Sequence, residues 1–392
     1  MTQSFFSRRQ LSLLILVLPG IILLLSLLGS EPDLPDWQAS ADRRVYLHTV
    51  PAQTGYRIHL LLPQSVATSA TDGLQQQLLF TALRHRIQTT DELGHWLQQQ
   101  GWTVQLDTLP SHVRLILHSQ QPPNDPTLTT LLQRLQHPPE VDWGSLLRRV
   151  QAENYLARQQ TDTWLRLSFP TTTQYSATVD PLVAYQQWLQ PAHWRMTLSG
   201  AQPPALTLPL PTPDTTVPAP APLTLAILPV PTPRVTLPIT LHRWQLPVPD
   251  SVDALAMTLL AREAIHQGLS DWLAQRQTDS HSPAGFSLGW EPAGNATLII
   301  QGTQQPSVRP WLPSQITAAN LEAARQQVQQ LVTDAAGQSS WLDLLARHQL
   351  PADTLQRLPL PLEHIDSTQV QHWLQQQLET DYYHTLSLPA SP

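Results

Sequence analysis

The chain has 392 residues, of which 41% are hydrophobic and only 13% are charged. It can therefore bury a sizeable core and is expected to contain about two to three domains. Its net charge is −7, its basic residues are scattered arginines without any lysine, and it has no cysteine, which argues against a nucleic-acid-binding protein and excludes disulfides, thiolate metal sites and thiol catalysis.

An apolar segment, Leu11 to Gly29, follows a short basic stretch at the N-terminus. As a helix it is long enough to cross the hydrocarbon core of a bilayer. Arg8 and Arg9 precede it and acidic residues follow it, so the positive-inside rule directs the bulk of the chain to the periplasm. Residues 1–30 are therefore predicted to be a cytoplasmic stub and a single-pass anchor in a bacterial inner membrane, with 31–44 as a tether. A cleaved signal peptide is the alternative.

Residues 45–201 alternate between strand and helix patterns. Period-two alternation predicts a strand from Tyr56 to Leu62, a hairpin within 102–119 and a strand at 193–199. Apolar residues three and four apart predict helices instead. The predicted helices of this half cover residues 73–88, 91–100, 128–135, 143–160 and 181–190.

Residues 202–222 are rich in proline, which predicts an extended linker between two domains. Beyond it, landmarks of the first half recur in the same order. The pairs are Leu93–Gln98 with Leu269–Ala274, the hairpins 102–117 with 285–301, the helices 143–160 with 318–334, and Gln187–Gln190 with His372–Gln375. The predicted fold class is thus α+β, with duplicated domains at 45–201 and 223–392. The alternative explanation of any single match is that amphipathic helices commonly share such a pattern.

This arrangement resembles the insulinase, pitrilysin and mitochondrial-processing-peptidase group of inverzincin metallopeptidases. Their unit is a strand, a metal-binding helix that opens at a glycine, a short helix ending in glycine, a hairpin, and a later helix carrying a glutamate ligand. The matching stretches here are Tyr56 to Pro63, Asp72-Gly73-Leu74 onward, Leu93 to Gly101, Trp102 to Ser119 and Asp142 to Arg158. The resemblance implies two α/β-sandwich domains of this type.

The first helix departs from the family pattern at the positions that carry the chemistry. Active members need H-x-x-E-H, in which two histidines bind zinc and the glutamate activates the metal-bound water. Alignment on Gly73 places Gln76 and Phe80 at the histidines and Leu79 at the glutamate. Glu153 falls at the downstream glutamate ligand, although an ordinary polar helix residue is the alternative there. A lone carboxylate does not hold a catalytic zinc, so no metal or other cofactor is expected.

The companion domain of the family carries an arginine and a Gly-x-Tyr-Ser strand that bind substrate. Here Asp253 to Arg276 and the following Gly285-Phe286-Ser287 match that segment. The resemblance places Arg276 at the arginine, but Phe286 replaces the tyrosine and lacks its hydroxyl. The substrate-binding pair is therefore altered as well.

These changes predict a pseudoenzyme, in which the fold serves to present binding surfaces rather than a catalytic site. The resemblance implies a protein partner, since inactive members of the family pair with an active subunit or serve as structural subunits of membrane complexes. The expected partners are an active insulinase-like peptidase subunit or an extended peptide, together with the membrane and without nucleic acid. An active peptidase completed by a partner chain and a purely structural subunit of an envelope complex are the alternatives. Counting residues does not decide whether a Ser-His-acid triad exists, because triads are recognised by geometry.

Overall fold

The computed structural model describes residues 36–64, 67, 69–88, 92–109, 111–167, 176–208, 222–228, 231–279, 284–292, 294–302, 307–334 and 337–390. They belong to one compact unit, Asp36–Pro392. The predicted membrane anchor at 11–29 lies outside the described residues. Among the residues that are described, no helix combines the length and the apolar character needed to cross a bilayer.

A six-stranded sheet lies at the centre of the first half. The strands of the first half are β1 (Trp37–Ala39), β2 (Val45–Thr49), β3 (Tyr56–Pro63), β4 (Thr103–Leu109), β5 (His112–Ser119), β6 (Ser176–Val179), β7 (Arg195–Gly200) and β8 (Leu223–Ala226). Strands β6 and β8 form a separate two-stranded ladder, and the other six form the sheet. The order across the sheet is β1-β2-β7-β3-β5-β4. All neighbours are antiparallel except β2 and β7, which are parallel. Strand β4 therefore forms one edge.

One face of this sheet is apolar and is covered by helices. The helices of the first half are α1 (Ala70–Gln88), α2 (Glu92–Gln99), α3 (Asp125–Gln136), α4 (Trp143–Ala157), α5 (Thr161–Leu167) and α6 (Pro181–Trp188). Alternate residues of β3, Ile58 and Leu60, pack with Leu78 and Leu83 of α1 in a fully buried core. Side-chain caps fix several helix starts. One is Asp180, whose carboxylate accepts hydrogen bonds from the first turn of α6.

The second half is built on a four-stranded sheet. Its strands are β9 (Ile239–Gln245), β10 (Gly285–Trp290), β11 (Asn295–Gln301) and β12 (His384–Leu388), and its helices are α7 (Val252–Asp279), α8 (Val308–Ser314), α9 (Ala318–Thr333), α10 (Gln338–His348), α11 (Thr354–Arg357), α12 (Pro359–His364) and α13 (Ser367–Leu378). The order β10-β11-β9-β12 repeats the order β4-β5-β3-β7 of the first sheet. All these pairs are antiparallel in both sheets. An internal duplication would produce this identity of order.

The two halves exchange helices. Helix α10 of the second half packs on β2, β3 and β7 of the first sheet. In return, Leu165 of α5 is fully buried against Ile239, Leu241 and Ile299 of the second sheet. Each sheet is thus covered partly by a helix from the other half. The two halves cannot separate without exposing buried apolar and polar groups.

Candidate functional site

The helix that aligns with the metal-binding helix borders a cleft of about 560 Å³. Reciprocal hydrogen bonds fix the start of α1. The Ser69 hydroxyl accepts from the Asp72 amide at 3.0 Å, and Asp72 Oδ2 accepts from the Ser69 amide at 2.9 Å. From that start, residues three and four apart share one face of the helix. The lining residues are Asp72, Gln75, Gln76 and Leu79 from α1, Ala184, Gln187 and Trp188 from α6, and Pro63, Gln64, His193 and Arg195 from the ends of β3 and β7.

Two of the three degenerate positions on α1 line this cleft. Gln76 and Leu79 both border it, and Leu79 belongs to the buried core. Phe80 is half-buried against the same core. The guanidinium carbon of Arg84 lies 4.8 Å from the centroid of the Phe80 ring, a cation–π contact. The face that would carry two histidines and a glutamate therefore presents an amide and two apolar side chains.

Glu153 is not among the residues that line the cleft. Its carboxylate is 56% exposed on α4 and accepts a hydrogen bond from Arg149 Nε at 2.8 Å. The next residue, Asn154, reaches α1 instead, where its Nδ2 donates to Gln77 Oε1 at 2.8 Å. The structure thus does not bring Glu153 into the cleft.

The side chains at these positions do not fit a catalytic zinc. Such a site needs three protein ligands. Leucine and phenylalanine carry no donor, and the only carboxylate of the set forms an exposed ion pair. Among the described residues, no group of three or more His, Cys, Asp or Glu side chains is arranged to hold a metal ion. No catalytic step through zinc is therefore assigned to this chain.

The altered substrate-binding pair lies in the second half. The Arg276 guanidinium carbon is 5.3 Å from the centroid of Trp272 on the same helix, α7. Phe286 lies on β10, and its ring centroid is 5.6 Å from that of His266. Neither residue lines the cleft.

A buried polar cluster between the halves was not predicted. Asp343 of α10 is 3% exposed. Its carboxylate accepts hydrogen bonds from His59 Nδ1 at 2.8 Å, from the Thr197 hydroxyl at 2.9 Å and from Arg114 Nη1 at 3.1 Å. Burial alone would raise the pKa of Asp343, but these donors outweigh it and hold the pKa below its ordinary value. A sequence signal existed, since Asp343 interrupts the apolar run of α10.

A second cluster contains serine, histidine and glutamate, but its geometry is not that of a catalytic triad. Arg347 Nη1 lies 2.6 Å from Ser111 Oγ, 2.9 Å from Glu291 Oε1 and 3.1 Å from His112 Nδ1. Glu291 accepts a hydrogen bond from the Ser111 hydroxyl, whereas in a triad the acid orients the histidine. Burial, reinforced by Arg347, lowers the pKa of His112 to about 3. Ser111 and His112 belong to the first half and Glu291 and Arg347 to the second, so these contacts link the two halves.

Comparisons with known proteins identify the fold of this chain. No protein-family profile matches the sequence, and no curated protein sequence does either. Solved structures do match, at low identity. The chain is similar to the periplasmic protease PqqL from Escherichia coli, with 14% identity, a TM-score of 0.56, and coverage of 93% of this chain and 48% of that one. It therefore spans about half the length of PqqL.

Two shorter structures match along their whole length. A peptidase M16 inactive domain from Pseudomonas fluorescens shares 12% identity at a TM-score of 0.56, covering 91% of this chain and 100% of that one. A protease from Helicobacter pylori shares 13% identity at a TM-score of 0.53, covering 92% and 100%. At these identities the likeness is one of fold. The chain therefore has the M16, or insulinase-like, peptidase fold that its sequence resembles.

Proposed function

We propose that this chain is a catalytically inactive M16-fold protein that acts as a partner or scaffold subunit of an active zinc metallopeptidase. The observation that carries the proposal is the chemistry of α1. Gln76, Leu79 and Phe80 occupy the positions that the sequence alignment assigns to two zinc ligands and the catalytic glutamate, and the carboxylate of Glu153 is paired with Arg149 outside the cleft. The occurrence of an inactive M16 domain among proteins of the same fold supports this.

A partner of the same fold is proposed because this chain corresponds to one part of a longer protein. The structural match with PqqL covers 93% of this chain but only 48% of PqqL. The exchanged helices join its two halves into one unit, and a second unit is proposed as its partner. We propose an intact M16 peptidase subunit in that role.

Peptide binding is proposed at the edge of the first sheet. Strand β4 pairs with β5 on one side, and in the described part of the chain no strand pairs with its other side. The residues Thr103, Gln105 and Thr108 along this edge are exposed. An extended peptide can add to such an edge through backbone hydrogen bonds, which needs no catalytic residue.

The location proposed is the inner membrane, with the bulk of the chain in the periplasm. Its support is the apolar segment Leu11 to Gly29 behind Arg8 and Arg9. Protease protection of the full-length chain in spheroplasts tests this. Residues 36–392 should be digested from outside the inner membrane, and protection of that region would contradict the proposed orientation.

Zinc content and peptidase activity test the inactive assignment. The purified full-length chain should bind no stoichiometric zinc by elemental mass spectrometry and should cleave no member of a mixed peptide library. Glu153→Gln should change neither result, because the Glu153 carboxylate is exposed and pairs with Arg149. One tightly held zinc per chain that Glu153→Gln removes would overturn the assignment.

Co-purification from detergent extracts tests the partner. A stable complex with a subunit containing an intact H-x-x-E-H motif is the expected result. A complex without such a subunit would favour the purely structural role in the envelope. Chelator-sensitive activity that persists when the partner's own H-x-x-E-H motif is mutated would favour a site completed between the two chains.

A further inference from the structure

We propose that the cleft between α1 and α6 binds an uncharged polar segment of a peptide, using side-chain carboxamides rather than charges. This inference rests on the proposed peptide-binding function and assigns it a second contact, separate from the edge of β4. It follows from which of the polar groups in the cleft are already engaged.

The charged side chains of the cleft are used by the fold itself. Asp72 caps α1 through its bond from the Ser69 amide. Arg195 Nη1 donates to the carbonyls of Ala192 and Trp194, both at 2.9 Å. With the Gln349 carboxamide oriented so that its oxygen faces the guanidinium, Arg195 Nε and Nη2 each donate to that oxygen at 2.8 Å. Both side chains are therefore engaged in hydrogen bonds of the fold, and a ligand would have to compete with those bonds to contact them directly.

Three carboxamides of the cleft are in the opposite situation. Gln64, Gln75 and Gln187 line it from three different elements. Within the described part of the chain, none of their side-chain amides makes a hydrogen bond to another residue. Each amide offers two donors and one acceptor, the same groups that a peptide unit or a Ser, Thr, Asn or Gln side chain can satisfy.

The remaining surfaces favour a peptide over a small ion. Trp188 and Pro63 add apolar area to the walls, and aromatic side chains with hydrogen-bonding neighbours are typical of peptide contacts. The volume of about 560 Å³ admits several side chains. Because recognition would depend on neutral hydrogen bonds, the affinity should vary little with salt, whereas an ionic site weakens as screening increases.

Fluorescence anisotropy with a defined probe tests the proposal. The probe is a fluorescein-labelled, otherwise uncharged decapeptide of Ser, Thr, Gln and Gly with a blocked C-terminus, and the protein is the full-length chain. The double variant Gln75→Ala/Gln187→Ala should weaken binding about tenfold, as expected for the loss of two hydrogen bonds. The matched control is Gln98→Ala/Gln99→Ala on the exposed face of α2, which should leave affinity unchanged.

Two further measurements make the test decisive. Raising the salt concentration about tenfold should change the affinity less than about twofold, and replacing two Gln residues of the probe with Glu or Lys should weaken binding. The cleft assignment is overturned if the probe does not bind, if the Gln75→Ala/Gln187→Ala variant binds it like wild type, or if a charged probe binds better. Zinc content and partner co-purification test the proposed function separately. A failure of the peptide-binding experiment therefore does not decide whether the proposed function is correct. Thermal melts of both double variants verify that they are folded.

Discussion

Replacing Asp343 with alanine should destabilise the whole unit, because this carboxylate links α10 to the sheet of the other half. Its side chain is 5% exposed and that of His59 is 3% exposed. The substitution would remove the acceptor of three hydrogen bonds at once. His59 and Thr197 would then be left buried without this partner, while Arg114 would keep Asp107 at 2.8 Å.

The expected loss is about 3–5 kcal/mol in the free energy of unfolding, the usual result of removing one partner from a buried ion pair. The lost hydrogen bonds lead to a loss of the same order of magnitude in the free energy of unfolding, since each buried donor left unpaired costs about 1–3 kcal/mol. At an unfolding entropy of about 2 cal/mol/K per residue, this loss lowers the melting temperature by roughly 4–7 °C if residues 36–392 unfold together. Asp343→Asn keeps one acceptor oxygen and should lose less, about 1–3 kcal/mol.

Thermal melts of the full-length chain, followed by circular dichroism, measure this effect. Asp353→Ala is the matched control, at the residue just before the neighbouring helix α11. Asp353 lies 3.9 Å from Arg357 in an exposed pair, and such pairs contribute about 0–1 kcal/mol. If Asp343→Ala melted within about 1 °C of Asp353→Ala, the buried cluster would not be holding the halves together.

The pH dependence gives an independent check. The pKa of Asp343 is lowered in the folded chain, so its charge stabilises the fold above the ordinary aspartate pKa of about 3.9. That contribution disappears as the pH falls through the lower, folded-state pKa. The stability difference between wild type and Asp343→Asn should be constant at higher pH and shrink only in that acid range. A difference that grew on acidification would contradict the argument.

Two other changes should alter stability for reasons visible in the structure. A Cβ atom on Gly268 would lie 2.5 Å from the carbonyl oxygen of Gln315, so Gly268→Ala should cost about 1–3 kcal/mol in thermal melts. Gly285→Ala, whose Cβ would meet nothing within 4 Å, should cost nothing measurable and serves as the control. Burial lowers the pKa of His112 to about 3 and of His348 to about 4, so both are neutral in the folded chain at pH values where the unfolded chain protonates them. Stability should therefore fall as the pH drops from about 6.5 to 4, by about 1.4 kcal/mol per unit for each histidine, and an unchanged slope in melts of His112→Gln would count against this.

The local elements were largely predictable because their signals are local. The strand predicted from Tyr56 forms β3, and the helix predicted at 318–334 forms α9 over Ala318–Thr333. The hairpin predicted within 102–119 forms β4 and β5. Gly101, predicted to end the short helix, has φ of +68° just after α2, a conformation that glycine adopts without strain.

The candidate site was predictable in part. Alignment on Gly73 identified Gln76 and Leu79, and both line the cleft. It also grouped Glu153 with them, yet the structure pairs that residue with Arg149. Sequence spacing places residues on one face of one helix, but it does not decide which way a residue of a second helix points. The cleft residues on α6 and at the end of β3 belonged to repeat and family patterns that indicate fold rather than a site, so the sequence did not identify them as cleft residues.

By itself, the sequence determined many of the helices and strands and their order, and it aligned Gln76, Leu79 and Phe80 with the metal-site positions, because periodicity, caps and residue chemistry are properties of short segments. Only the tertiary structure decided what those elements meet. Asp343 contacts His59 across 284 positions of the chain. Leu206 and Leu208, within the stretch predicted as a linker, are buried in the core of the first half. Such contacts depend on how sheets and exchanged helices pack, and no local pattern specifies them.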